Sequence, residues 1–503
     1  MGWYNGGRMP GYTSRMRVVT TVPASGGAPS QLETSLRPEL ADAGRLARRA
    51  LRKVVTAARA DDRRTVDKAL REHLGPAVNG PVVNGSWPSY EHVNVQIALD
   101  AWLEDPSRSH ELVGLTGFQH RMFGLADLIV PEVHPGMLPG IGNVAMANLP
   151  AGPDGQTYSC VQCALYLIVE SEQPLALLVR GSDDRGGNEN VLVEALTADA
   201  ETGARVLAEL RAMALERNVY RGQVVSFGGQ MFGQPGALMT FHSRPTISRD
   251  ALVLPGGVLE QVEAQVLGVA EHRERLRASG QHLKRGLLLH GPPGTGKTHT
   301  ARYLMGRLTG VTIVILSGEA LHAITLACSV ARALTPSLVI IEDVDLIGDD
   351  RGMHPGAHPL LFQLLNEMDG LGEDLDIAFL LTTNRADLLE RALVQRPGRV
   401  DQAVEIPLPE AAERKRLVEL YCGRLELDEA GIADVVERSH GVTASFLKEL
   451  LRRAALLAAQ EESSTEGPLR VSGEQLTRAL DLLLDDRSRL TRALLGSPGE
   501  QPA

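Results

Sequence analysis

The chain has 503 residues, 43% of them hydrophobic and 22% charged, with a formal net charge of −11. That length exceeds what one hydrophobic core supports, so two or three domains are expected. The acidic balance argues against a surface devoted to nucleic acid or anionic membrane, and no apolar run approaches the roughly 18 to 20 residues that span a bilayer.

The opening residues, MGWYNGGRMPGYTSRMRVVTTVPASGG, hold scattered charges and glycines without the sustained apolar core of a signal peptide. Residues 1–31 read as disordered, with Met9 or Met16 as an alternative start. Residues 32–75 place apolar groups at helical spacing among many arginines and aspartates, which predicts two charged amphipathic helices broken near Asp61 and Asp62. Their charge reads as a solvated face. A Pro/Gly/Asn-rich patch at 75–88 precedes another helical stretch around Trp102, so residues 32–150 read as mostly helical.

From 151 to 245 the strand-like runs ALYLIVE, LALLVRG and NVLVEAL, one helix (ETGARVLAELRAMALER) and the further strands GQVVSF and ALMTFHS predict a small α+β domain. Its position makes it the candidate for recognising a partner. Cys160 and Cys163 form a CxxC, but with no second CxxC or His pair nearby they read as two small residues starting a buried strand rather than as zinc or redox ligands. Four cysteines in the whole chain give no disulfide framework, which predicts a reducing, cytoplasmic setting. Residues 246–285 hold an extended entry and a helix. Between 286 and 410 a short apolar strand, a glycine-rich turn and a helix recur, the pattern of a parallel sheet with helices on both faces. Past Pro409 the sequence turns helical, and the last helix opens on a capping box of Ser472 and Gln475. The expected fold class is α/β, with a P-loop parallel sheet core (246–410) and a C-terminal helical lid (411–503), preceded by helical and α+β regions.

The strand GLLLH leads into GPPGTGKTHT and a helix. Gly291, Gly296, Lys297 and Thr298 match GxxxxGK[ST] in the strand–loop–helix setting that pattern requires. Such a loop wraps its amides around phosphate oxygens, and Gly294 and Gly296 supply the positive φ and close approach this needs. Lys297 brings a point charge to the outer phosphates, and Thr298 offers a hydroxyl to Mg²⁺ at the positive end of a helix. Gly291, Pro292, Pro293, Gly294, Thr295, Gly296, Lys297, Thr298 and His299 are therefore the candidate nucleotide-binding residues.

Together with SLVIIEDVDLI (337–347) and LLTTNRADLLERALVQRPGRVDQAVEIPLPE (380–410), this loop resembles the AAA family of AAA+ ATPases over roughly residues 250–460. The resemblance implies ATP hydrolysis with Mg²⁺ in a homo-oligomeric ring, most often a hexamer. It implies that Asn384 orients the attacking water and that Arg396 and Arg399 reach a neighbouring copy's ATP, although one added residue at Val394-Gln395 leaves their reach open. LLNEMDGL (364–371) resembles the family's inter-subunit relay, and GVTASFL (441–447) its lid motif, from which Ala444, Ser445 and Phe446 depart. By position Glu342 takes the metal role and Asp343 the base role, the reverse of the family's Asp-Glu order, with Thr298, Glu342 and Asp343 around the metal. Charge is conserved by the exchange, Asp345 follows on the same side of an extended chain as Asp343, and the rest of the apparatus is present, so a functional ATPase is expected.

Protein-unfolding members of the family grip a peptide with an aromatic–apolar–glycine loop, and here no aromatic residue lies between Leu304 and Leu361. Leu321 and Ile324 are expected in a helix core and His322 on the surface, although all three are also candidates to line a pore. Two functions follow: mechanical remodelling of an unidentified protein substrate or adaptor, or an ATP-dependent scaffold or switch in which hydrolysis controls assembly. A nucleic-acid motor lacks the basic, aromatic-laced strand it would need.

Overall fold

A fourteen-residue strand organises the N-terminal half. The structure, a computed structural model, describes residues 65–116, 124–129, 140–182, 190–227, 239–345, 359–370, 372, 375–385, 400–461 and 467–485. The first described helix is α1 (Val66–Leu74), followed by strand β1 (Val82–Pro88), helix α2 (His92–Leu103), β2 (Arg108–Thr116), the short α3 (Leu125–Ile129), β3 (Gly140–Gly142) and β4 (Ala145–Pro150). The long strand is β5 (Thr157–Glu170), and it turns into β6 (Gln173–Arg180) through Ser171 and Glu172, both at positive φ (48° and 69°). That is the two-residue turn whose twist matches the flanking strands, built without the glycine or asparagine that normally marks it. β7 (Asn190–Leu196) and helix α4 (Ala200–Glu216) complete the unit, with Asp199 capping α4 by accepting from Thr202 N–H. The sheet is antiparallel in the order β1-β7-β6-β5-β2-β3, and β4 pairs with β5.

Both faces of this sheet are covered. Trp87, Leu99, Trp102, Val206 and Leu210 fill the side under α2 and α4, while Leu70, Leu74, Leu125, Leu128 and Leu178 fill the side under α1 and α3. Residues 65–150 thus supply four strands of a sheet, which corrects the mostly helical reading of 32–150. The reason is that β1 and β2 mix polar residues and glycine among their apolar ones and acquire strand identity from β7 and β5 beside them. Residues 1–64, including the expected disordered start and first amphipathic helix, lie outside the described residues. Cys160 and Cys163 begin the buried part of β5, but an odd offset along a strand sends them to opposite faces: Cys160 joins the core shared with the second sheet, Cys163 the core under α1.

The second sheet contains β8 (Val224–Phe227), β9 (Met239–His242), β10 (Arg285–His290), β11 (Thr312–Leu316), β12 (Ser337–Ile341), β13 (Ile377–Thr383) and β14 (Gln402–Glu405), in the order β14-β10-β13-β12-β11-β8-β9. Every pairing is parallel except β8 with β9. The strands expected at GQVVSF and ALMTFHS exist, yet they extend this sheet rather than the α+β domain, so the boundary drawn at 245 is corrected. Ahead of β10 lie helix α5 (Val258–Glu263), a π-helical turn Ala264–Gly268 and, past a break at His272, helix α6 (Arg273–Ala278). Helices α7 (Lys297–Arg307), α8 (Ile324–Ala333) and α9 (Pro359–Asp369) connect the parallel strands.

The lid comprises α10 (Ala411–Cys422), α11 (Glu429–Arg438), α12 (Ala444–Glu461) and α13 (Gly473–Leu484), with a two-residue parallel pair, β15 (Glu426–Leu427) and β16 (Arg470–Val471). Its core includes Leu417, Phe446, Leu447, Leu450 and Leu480. The capping box of Ser472 and Gln475 starts α13.

Candidate nucleotide site

At the carboxyl ends of β10, β12 and β13 the chain leaves the sheet, the place where an open α/β sheet holds its ligand. After His290 the loop uses three glycines at positive φ: Gly291 at 142°, Gly294 at 80° and Gly296 at 114°. Two of the three also lack room for a side chain. A Cβ on Gly291 would sit 2.2 Å from the Ile406 carbonyl oxygen, and one on Gly294 would sit 3.0 Å from Ser445 Oγ, because the lid packs onto the loop there. Gly296 precedes α7, whose first residues are Lys297 and Thr298.

Lys297 is 6% exposed, and its Nζ donates to the carbonyl oxygens of Gly291 and Pro292, both at 2.8 Å. Burial lowers its pKa to about 8, opposed by the nearby charges of Asp343 and Asp345. Thr295 steadies the loop by donating from Oγ1 to Pro292 O at 2.9 Å.

β12 is buried along its whole length and stops at Ile341. Glu342 is half-buried and its pKa is raised, first by burial, against a hydrogen bond from Thr298. Asp343 follows at φ 49°. The left-handed conformation accommodates Asp far better than most residues, because a short polar side chain can bond locally. Here the Asp343 N–H donates to Thr382 Oγ1 at 3.0 Å, and its carboxylate accepts from Asn384 Nδ2 at 3.2 Å. Glu-Asp rather than Asp-Glu therefore suits this backbone. The same conformation corrects one expectation: the chain is not extended past Asp343, and Asp345 folds back to accept from Thr383 Oγ1 (2.8 Å) and Asn384 N–H (3.3 Å).

A cavity of about 410 Å³ results, lined by the loop, by Arg302 of α7, by Asp343 and Asn384, and by Ser445 of the lid. Pro293, Gly294, Gly296, Lys297, Thr298 and His299 all border it. Thr382, Thr383, Arg302 and Ser445 were not anticipated. The paired threonines at the end of LLTTN are the signal that could have found the first two. Ser445, one of the departures from the family's lid motif, donates from both N–H (3.2 Å) and Oγ (3.3 Å) to Gly294 O, while Phe446 is fully buried in the lid core and Thr443 Oγ1 caps α12 by accepting from Phe446 N–H. Arg396, Arg399 and the Val394-Gln395 addition lie outside the described residues. Of the segment that lacks an aromatic, Leu321 and Ile324 are buried at 3% and 0% and His322 is exposed.

A glycine-rich loop running from a parallel strand into a helix, with a lysine and threonine at the helix start and carboxylates just past the end of β12, two strands away in the same sheet, defines a P-loop nucleoside triphosphatase domain. Residues 287–408 match the ATPase family associated with various cellular activities (AAA), and the chain carries an AAA ATPase domain. The chain is similar to the ATP-dependent zinc metalloprotease FtsH 2 of Symbiobacterium thermophilum, 33% identical over 40% of this chain and 36% of that protein. The ATP-dependent zinc metalloprotease FtsH of Mycobacterium tuberculosis is 28% identical over 65% of this chain and 47% of its own length, and that of Mycoplasmopsis synoviae is 28% identical over 55% and 43%. The chain thus spans a third to a half of the curated relatives it matches. Its 503 residues contain no His-Glu-x-x-His pentapeptide, the pattern with which zinc proteases hold their metal.

Proposed function

We propose that the chain is an ATP-hydrolysing machine that works as a homo-oligomeric ring, hexameric by resemblance, and acts on a protein partner in the cytoplasm. The observation that carries this reading is the convergence of Lys297, Thr298, Asp343 and Asn384 on one cavity at the end of a parallel sheet, with Glu342 directly before Asp343 in the chain. Loop amides and the α7 N-terminus bind the triphosphate, and Lys297 exchanges its two carbonyl partners for the outer phosphates. Thr298 lies close enough to Glu342 to act on its carboxyl, and hard oxygens of this kind, with phosphate oxygens, make up a Mg²⁺ site. Bound there, Mg²⁺ would neutralise charge on the outer phosphates. Asp343, held by Asn384, accepts the proton of the attacking water. Arg396 and Arg399 of an adjacent copy complete the charge that stabilises the breaking bond.

A protein partner is supported by the relatives, which are named as ATP-dependent proteases. A second reading, an ATP-controlled scaffold or switch, is supported by the burial of Leu321 and Ile324, which commits that turn to the core instead of a pore. Steady-state MgATP turnover tests the common part: the parent protein hydrolyses ATP, whereas Asp343→Asn binds it and does not. Equal turnover by Asp343→Asn removes the assigned base. Partner-stimulated turnover with loss of partner structure then selects remodelling over switching.

A further inference from the structure

The two extra strands of the second sheet tie the N-terminal domain to the P-loop helix, and the tie centres on one side chain. β8 is hydrogen-bonded in parallel to β11, with Val224 opposite Ile313 and Ser226 opposite Ile315, and β9 returns antiparallel beside it. Immediately after β9, Arg244 crosses the far end of α7. Its Nη1 donates to Met305 O and Leu308 O, both at 2.6 Å, and its Nη2 to Gly222 O at 2.9 Å and Val311 O at 3.1 Å. Met305 lies in the last turn of α7, and Leu308 is its C-cap. A cation there meets the negative end of the helix and satisfies carbonyls the helix leaves unpaired. The approach is close: a Cβ on Gly306 would fall 2.4 Å from Pro245 O.

The opposite end of the same helix carries Lys297 and Thr298. Eleven residues of α-helix span about 16 Å and transmit displacement as a rod. On the other side of the clamp, β8 and β9 merge with the N-terminal domain through aromatic packing. Tyr220 stacks on Phe241 at 5.3 Å, Phe227 meets Tyr90 edge-on at 6.2 Å, and Tyr220 OH donates to Tyr90 O at 2.7 Å. Tyr90, Val93, Leu149 and Cys160 of the N-terminal domain share one core with Val225, Phe227, Val314 and Ile341 of the ATPase sheet. An uninterrupted path of packed groups therefore runs from the phosphate loop to the N-terminal sheet, and Arg244 is the polar joint in it.

We propose that Arg244 is a positioning residue that couples nucleotide occupancy of the P-loop to the β8–β9 pair and, through it, to the N-terminal domain. The proposal rests on the reading of the loop as a triphosphate site. Such coupling is reciprocal, so whatever engages the N-terminal domain alters nucleotide affinity through the same joint.

Hydrogen exchange of the full chain with and without MgATP tests it. In the parent protein MgATP slows exchange at residues 291–300 and also, by about five-fold or more, at 222–227 and 239–245. In Arg244→Gln the first protection persists and the second is lost, with Arg244→Lys restoring part of it. Gly306→Ala, which pushes Pro245 away from the helix side, gives the same selective loss and serves if Arg244→Gln does not fold. Parent protection confined to 291–300, or variants that keep both regions protected, would overturn the coupling. Absence of protection at 291–300 itself would remove the nucleotide reading and the coupling with it.

Discussion

Lys297 gives the nucleotide site a measurable dependence on pH. Its side chain is buried, with the ammonium bonded to two neutral carbonyls, and burial lowers its pKa to about 8. Phosphate prefers the charged form. At pH 7 about nine chains in ten carry that charge, and at pH 9 about one in ten, so the apparent Kd for MgATP should weaken about ten-fold between them. The sign is fixed by the direction of the shift: binding phosphate restores a proton that burial had loosened, and close to one proton is taken up per nucleotide at pH 9. The assay is calorimetric titration in two buffers of different ionisation enthalpy, repeated on Lys297→Arg, whose guanidinium stays charged throughout. The ratio of the two proteins' Kd values cancels ionisation of the nucleotide. A ratio unchanged from pH 7 to pH 9 would refute the burial argument for Lys297.

Three further outcomes follow from particular contacts. Restoring the family's order with Glu342→Asp and Asp343→Glu together should slow turnover about 10²-fold, since each carboxylate moves by about one bond length, and should cost about 1 kcal/mol in a denaturant melt because Glu tolerates the left-handed backbone less well; a faster enzyme would contradict the account. Gly294→Ala, at φ 80° and with its Cβ 3.0 Å from Ser445 Oγ, should lower both the melting temperature and ATP affinity, and unchanged values of both would disprove the lid contact. Burial raises the Cys160 and Cys328 thiols to about 12 and leaves Cys422 part-exposed. A thiol reagent should therefore label Cys422 first in the native protein, and fast labelling of Cys160 would contradict the packing of β5.

What the sequence disclosed and what it hid divide along locality. The P-loop was legible because one ten-residue stretch carries its glycines, lysine and threonine, and Ser472 with Gln475 marked α13 for the same reason. The threonines that hold Asp343 and Asp345 were not, since their role appears only when β13 is placed beside β12. β8 and β9 were recognisable as strands from their residue types, but a strand-like run does not name a partner strand, and so they were assigned to the wrong sheet. β1 was hidden within a patch rich in proline, glycine and asparagine, where pairing with β7 rather than propensity makes the strand. The order Glu342-Asp343 looked like an exchange of roles along a straight strand. The positive φ of Asp343, which is what favours Asp at that place, is invisible in the residue string.

Complementation between two inactive variants tests most directly the claim that each site is shared by adjacent copies. On this account Arg399→Ala should bind MgATP without turning it over, and Lys297→Ala should fail to bind it. Mixed in equal amounts, the two should recover part of the parent rate, as intact Arg399 side chains reach intact phosphate loops. Full turnover by Arg399→Ala alone, or no recovery in mixtures shown to co-assemble, would contradict it.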